Sequence, residues 1–265
     1  RVDKNIIQDI LRERVRDGVV RRLIGKWLNA GIQEDGRTYC AEAGVPQGGV
    51  ISPLLSNIYL HEVLDKWFVE LLLPRMRGRA FMVRFADDAI LAFEYQDDAE
   101  KVYRVLPKRL KRFGLALHTG KTRLIDFRRK PKNGPIFNFL GFTHFWSKSR
   151  YGKLVIKCRT SKESFAKSLR KVYQWMRIAC HWKVTKQYRI LCMKLRGHYQ
   201  YYGITGNSRA LSRFSRAVVL IWFKWLKRRS RKSKRNWQWY LNLLNRLKLP
   251  KPICVHSTLR RAANL

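Results

Sequence analysis

Two observations in this sequence predict an α+β fold. Residues 80–93, AFMVRFADDAILAF, read as two short apolar runs around a tight turn, a strand hairpin set among segments with helical spacing. Beyond residue 150 the chain turns to stretches rich in Trp, Tyr, Leu and Arg, in which helical spacing replaces strand alternation.

The individual elements follow in order. Ile6, Ile7, Ile10, Leu11, Val15, Val19, Leu23, Ile24, Trp27 and Leu28 recur at helical spacing, and Gly18 and Gly31 read as stops between or after helices. A polar turn at Glu34, Asp35 and Gly36 precedes a segment in which Ser52 is expected to cap a helix that opens on Pro53. Leu54, Leu55, Ile58, Val63, Leu64, Trp67, Phe68 and Leu71 form its apolar face. After the 80–93 hairpin come a helix over 97–113, a strand-like GLALHTGKTRLIDF, a turn at PKNGP and the aromatic NFLGFTHFW. Together these predict a small antiparallel sheet backed by helices.

Composition narrows the partner. Fifty-seven Lys and Arg against eighteen Asp and Glu give a net charge of +39, a self-repulsion that a polyanion would relieve. The excess is uneven: 1–150 holds 28 cations and 17 anions, whereas 151–265 holds 29 cations and one anion, Glu163. A boundary near 150 is expected, between a mixed domain and a strongly basic helical one. No run of eighteen apolar residues occurs and no signal-peptide pattern opens the chain, so no membrane partner and a cytoplasmic, intracellular location are expected. Cys40, Cys158, Cys180, Cys192 and Cys254 are scattered without a CxxC pair; neither a disulfide framework nor a zinc site is indicated, and mostly buried thiols are expected.

The strongest local chemical signal is Asp87-Asp88 at the tip of the hairpin. Adjacent carboxylates repel, and a divalent cation with a preference for oxygen ligands, such as magnesium, relieves the repulsion. Read alone, the dipeptide also fits an ordinary Asp-rich turn. In the second half, Trp175, Trp182, Tyr188, Tyr199, Tyr201, Tyr202, Trp222, Trp225, Trp237 and Trp239 stand at spacings typical of a core. Lys224, Lys227, Arg228, Arg229, Arg231, Lys232, Lys234 and Arg235 are too dense to be buried and fit contacts with the phosphates of a nucleic acid.

GVPQGGVISPLLSNIYLH, FADD, GLALHTGKT and NFLGF follow one another in the order and approximate spacing of the blocks of reverse transcriptases, and their wording resembles bacterial group II intron proteins. RGHYQYYGITGNSRAL and WFKWLKRRSR resemble the helical thumb, or maturase domain, of the same family. The resemblance implies a partial reverse transcriptase palm over 1–150 and a thumb/maturase domain over 151–265. It implies RNA-directed DNA polymerisation, with intron RNA binding for splicing, without chemistry by the protein, as the alternative.

Carried over by position, Asp87 is a ligand of two catalytic magnesium ions and Asp88 its neighbouring, supporting acid. Lys121 is the lysine near the triphosphate; on sequence alone it is one of 57 basic residues. Pro46, Gln47 and Gly48, with Phe85 and Ala86, match the segments near template and incoming nucleotide, and Phe139, Leu140 and Gly141 match the primer grip. The implied partners are group II intron RNA, an RNA template with a DNA primer, deoxynucleoside triphosphates and a DNA target. The family's further catalytic Asp belongs to an earlier block; Asp3 matches a later acid of that block, outside the metal site. This chain alone is therefore expected not to polymerise, and no HNH-like Cys and His array follows the thumb.

Overall fold

The computed structural model describes residues 3–29, 51–128, 134–149, 151–229 and 236–256, together with the backbone of 32–34 and 37–39. It divides into two compact units, Arg1–Asp126 and Phe127–Leu265.

In the first unit, helices α1 (Lys4–Arg14) and α2 (Gly18–Asn29) are separate because Asp17 interrupts the backbone ladder. Its Oδ1 accepts from the amides of Val19 and Val20, so Gly18 opens a helix instead of ending one. Asp3 caps α1 in the same way, accepting from the amides of Asn5 and Ile6. A short hairpin joins β1 (Ile32–Glu34) and β2 (Arg37–Tyr39). Helix α3 (Ser52–Leu60) then runs on as π-helical turns through His61–Leu72. Ile51, not Ser52, takes the cap position, with Ser52 and Pro53 the first two helical residues.

Those wide turns change which residues are inside. Buried positions fall at Leu55, Tyr59, Val63, Leu64, Trp67, Phe68 and Leu72, repeating every four to five residues, while Leu54 and Leu71 are exposed. The helix thereby joins two cores. Leu55, Tyr59 and Val63 pack with Ile7, Ile10, Leu11, Ile24, Leu28 and Leu110. Leu64, Trp67, Phe68 and Leu72 pack with Val102 and with Met82, Leu91 and Phe93 of the next hairpin. That hairpin is β3 (Ala80–Phe85) with β4 (Asp88–Phe93), covered by α4 (Gln96–Arg112). The strand expected over 114–127 does not form. Leu115 and Leu117 pack against the first core as irregular chain, and β3 and β4 pair only with each other among the described residues.

The second unit begins with an antiparallel sheet of β5 (Phe137–Phe139), β6 (Phe142–Lys148) and β7 (Leu154–Thr160). Four helices follow: α5 (Lys162–Ile178), α6 (Val184–Tyr202), α7 (Ser208–Lys227) and α8 (Trp237–Leu247). The rise in charge at 150 and the packing boundary at 126 are different properties, since the sheet folds in the same compact unit as the basic helices. Val172, Met176, Leu191, Leu195, Tyr199, Leu211, Phe214, Val218, Trp222, Trp225, Tyr240 and Leu243 form one core. The core expectation therefore holds for Tyr199, Trp222 and Trp225, whereas Tyr201 and Trp237 are largely exposed. Of the four described cysteines only Cys192 is buried; Cys158 and Cys180 are half-buried and Cys254 is exposed. Among the described residues no helix is long and apolar enough to cross a membrane.

Two neutral amides organise this core. Buried Gln187 donates to the carbonyls of Ala179 (2.7 Å), Cys180 (3.1 Å) and Trp182 (3.2 Å), and its Oε1 accepts from Trp222 Nε1 at 2.8 Å. Buried Asn207 accepts from the Thr160 amide at 2.9 Å and donates to Thr160 Oγ1 and to the Tyr202 carbonyl, both at 2.8 Å. It ties the end of β7 to the α6–α7 turn. At Gly203 in that turn, a Cβ would lie 2.9 Å from the Ile253 carbonyl, because the chain returns there and His256 N donates to Gly203 O at 2.8 Å.

Trp222 fills the centre of this core, so Trp222→Ala should cost about 3–5 kcal/mol in urea unfolding, part of it from the orphaned Gln187 oxygen. His198, stacked on Phe214 with ring centroids 3.6 Å apart, is held down to about 4 by burial. Because the fold disfavours the charged ring, the contribution to stability is complete above an unfolded pKa of about 6.5 and is lost as pH falls toward 4. Melting curves at pH 7 and pH 5 should show a smaller acid-induced drop in Tm for His198→Phe than for the parent chain.

Candidate functional site

The FADD hairpin is built from strand alternation. Ala80, Met82 and Arg84 point to the helices, while Phe81, Val83 and Phe85 stand on the open face. In the antiparallel register Phe85 faces Asp88, leaving Ala86 and Asp87 as a two-residue turn. Asp88 shares the open face with Phe85. Ala86 has φ +53°, the left-handed conformation that primed hairpin turns need at their first turn residue and that an L side chain enters at a cost of ~1–2 kcal/mol.

Arg84 holds that turn. From the inner face its guanidinium donates to both Asp65 oxygens at 2.6 Å, to Asn57 Oδ1 at 3.0 Å and to the Ala86 carbonyl at 2.9 Å. Burial alone would raise the Asp65 carboxyl, but hydrogen bonds and charge from Arg84, helped by His61, outweigh it and hold the group below the usual carboxylate range. The strained turn is thus fastened to α3 and its π-helical continuation. Sequence reasoning missed both residues. The available signal was a charged residue at a core-facing strand position, which requires a partner.

Asp87 and Asp88 contrast with Asp65. Both are exposed, and neither has a hydrogen-bond or ion-pair partner among the described residues. Such carboxylates suit a hard cation as part of an oxygen ligand set. Among the described residues no group of three or more His, Cys, Asp or Glu side chains is placed to hold a metal. Lys121 lies in the first unit with them, in an exposed turn where its amide donates to the His118 carbonyl. Pro46, Gln47 and Gly48 lie outside the described residues.

Phe139, Leu140 and Gly141 form the tip of a second two-residue hairpin, in the second unit. Leu140 (φ +49°) and Gly141 (φ +79°) are both left-handed, and a Cβ on Gly141 would lie 3.0 Å from Tyr202 Oη and 3.1 Å from Ser164 Oγ. Tyr201 Oη donates to the Leu140 carbonyl at 3.0 Å and its ring stacks on Phe142, while the Ser161 amide donates to the Gly141 carbonyl. The tip is therefore anchored to the C-terminus of α6 and the start of α5. Both hairpins that carry candidate residues place a non-glycine residue in the left-handed region at the first turn position.

Of the basic cluster, Lys224 and Lys227 lie in the last turn of α7, with Arg228 and Arg229 just beyond; Arg231, Lys232, Lys234 and Arg235 lie outside the described residues. Lys224 rests over the Tyr173 ring at 5.0 Å and Arg228 over Trp225 at 5.5 Å, while Arg229 donates to the His181 carbonyl.

Arg84→Ala should lower stability by about 2 kcal/mol, less than the 3–5 kcal/mol of a fully buried pair because Asp65 keeps some contact with water. Hydrogen exchange should then quicken at residues 84–88 before it quickens in α4. Uniform quickening across the unit would remove the specific link between Arg84 and the turn.

A sequence model of the family "Reverse transcriptase (RNA-dependent DNA polymerase)" matches residues 5–144, a span that includes both hairpin tips and Lys121. Protein YkfC of Escherichia coli (strain K12) is 30% identical over 211 residues, 67% of this chain and 53% of that protein. Group II intron-encoded protein LtrA of Lactococcus lactis subsp. cremoris is 40% identical over 70 residues, 26% of this chain and 12% of that protein. An uncharacterized 91 kDa protein in cob intron of Schizosaccharomyces pombe is 43% identical over 61 residues, 23% of this chain and 7% of that protein. The chain spans about half the length of the first relative and much less of the others. With more than half of its length matched by the family model, the chain belongs to the reverse transcriptase family, and intron-encoded proteins are among its relatives.

Proposed function

We propose that the chain carries the palm and thumb portions of an RNA-directed DNA polymerase, in which a primer 3′-hydroxyl attacks the α-phosphate of a deoxynucleoside triphosphate paired to an RNA template. The observation that carries this reading is the exposed, unpaired Asp87-Asp88 pair on a turn fastened by Arg84, within the span that the family matches. Residues 1–150 would supply the palm and 151–265 the thumb.

In the mechanism that follows, Asp87 is a direct metal ligand and Asp88 the supporting acid beside it. Two magnesium ions, when bound, stabilise the attacking and leaving oxygens. Arg84 keeps the turn from relaxing out of its left-handed conformation, so the carboxylates need no reorganisation as charge develops. Lys121 stabilises charge on the departing pyrophosphate or gives it a proton. Gln47, between Pro46 and Gly48, together with Phe85 and Ala86, lies against template and nucleotide, and the anchored Phe139-Leu140-Gly141 tip holds the primer end.

A second reading is favoured by one specific feature. In the second unit the lone acid is Glu163, which accepts from Asn138 Nδ2 at 3.2 Å, so its cations are left almost wholly to an outside anion. That suits a maturase surface that binds folded group II intron RNA and promotes splicing without chemistry by the protein. The same surface would serve template–primer and a DNA target.

The two readings separate in the full-length protein. Asp87→Ala should reduce primer extension by about 10²- to 10³-fold or more while leaving intron splicing near the parent level. Replacing Lys224, Lys227, Arg228 and Arg229 with Gln should weaken splicing at moderate salt. Undiminished extension by the Asp87→Ala protein would remove the polymerase assignment of that residue.

A further inference from the structure

The basic run near residue 230 is the end of a longer feature. On α7 the exposed positions Arg209, Arg213, Arg216, Leu220, Lys224 and Lys227 follow one another at intervals of three or four residues, which places them on one side of the helix. At 1.5 Å per residue this stripe is ~27 Å long. Five of its six members are cationic, and none of the five has an ion-pair partner among the described residues. The opposite side of α7, through Leu211, Phe214, Val218 and Trp222, is buried in the core.

We propose that this whole side of α7 is a track for an RNA phosphodiester backbone, and that Arg209, Arg213 and Arg216 bind phosphate in addition to Lys224 and Lys227. The proposal rests on the RNA-binding reading above and extends it to residues that no charge run marks.

Three features support the N-terminal half. Ser208, Arg209, Ser212, Arg213 and Arg216 line a shallow open groove of ≈ 360 Å³, so three arginines border one continuous stretch of surface. The track is braced from below by α5: Phe165 lies 5.5 Å from the Arg213 guanidinium and Tyr173 lies 5.0 Å from the Lys224 ammonium. Held over rings, these side chains lose less freedom on binding. Finally, the exposed apolar content of the stripe is the single Leu220, and the helix spends its apolar side on the core. A membrane-surface helix needs that side for lipid, whereas a phosphate backbone does not.

The test is the salt dependence of affinity of the intact 265-residue chain for a folded RNA hairpin. Each phosphate contact contributes ~0.7 to 0.9 to the slope of log affinity against log salt. The variant R209Q/R213Q/R216Q should therefore have a slope smaller by roughly 2 to 3, and each single Gln change one smaller by ~0.7 to 0.9. The single variants decide the matter if the triple variant melts early. Unchanged slopes in folded variants would overturn the proposal. A slope abolished wholly by K224Q/K227Q/R228Q/R229Q would also overturn it, while leaving the RNA-binding reading intact. Absence of salt-dependent RNA binding by the parent chain would overturn both, and tighter binding to anionic lipid vesicles than to RNA would overturn the choice of partner.

Discussion

Charge pairing is the constraint on which the rest of this structure depends. With +39 to accommodate, the chain cannot neutralise its cations internally, and the shortage is most acute where Glu163 is the lone acid. Unpaired cations cannot be buried, so the second unit keeps them outside and builds its core from aromatic and aliphatic groups. The polar anchors inside that core are neutral amides, Gln187 and Asn207, whose hydrogen bonds are satisfied by backbone and by Trp222 and Thr160. A carboxylate in either place would be a buried charge among apolar and neutral groups.

The first unit has enough acids to spend on structure. Asp3 and Asp17 cap helices, Glu62 joins Arg14 and Lys66, and buried Asp98 accepts from the Arg77 amide. Asp65 belongs to this group: it pairs with Arg84 on the inner face of the hairpin, while Asp87 and Asp88 stay exposed and, among the described residues, unpaired. Asp65, on the π-helical turns, thus holds Arg84, which in turn holds the Ala86 carbonyl of the turn that carries two unpaired carboxylates.

Much of this was legible in the sequence where the signal is periodic or local. The 80–93 hairpin was readable because two short apolar runs flank two adjacent acids, and the aromatic spacing correctly marked Trp222 and Trp225 as core. The strand expected after α4 failed because Leu115 and Leu117 alternate to meet the first core without a ladder partner. Leu71 was misplaced because the 3.6-residue period does not hold through π-turns, and Leu54 because it sits in the first turn of α3, on its exposed side. Asp65 and Arg84 stand 19 residues apart, a pairing that no local pattern encodes. Gln187 and Asn207 escaped because neutral amides carry no periodic signal. Arg209, Arg213 and Arg216 are separated in sequence and become neighbours only once α7 has wound them onto one side.

The central claim is that the unpaired cations of the second unit are a standing electrostatic cost, relieved by RNA. The most direct measurement is the melting temperature of the chain with and without a folded RNA hairpin, over a range of salt concentrations. The account predicts a Tm raised by RNA at low salt, with the gain shrinking as salt rises, because binding to the native state adds stability and counterions compete for the same charges. A Tm unmoved by RNA at low salt would contradict it.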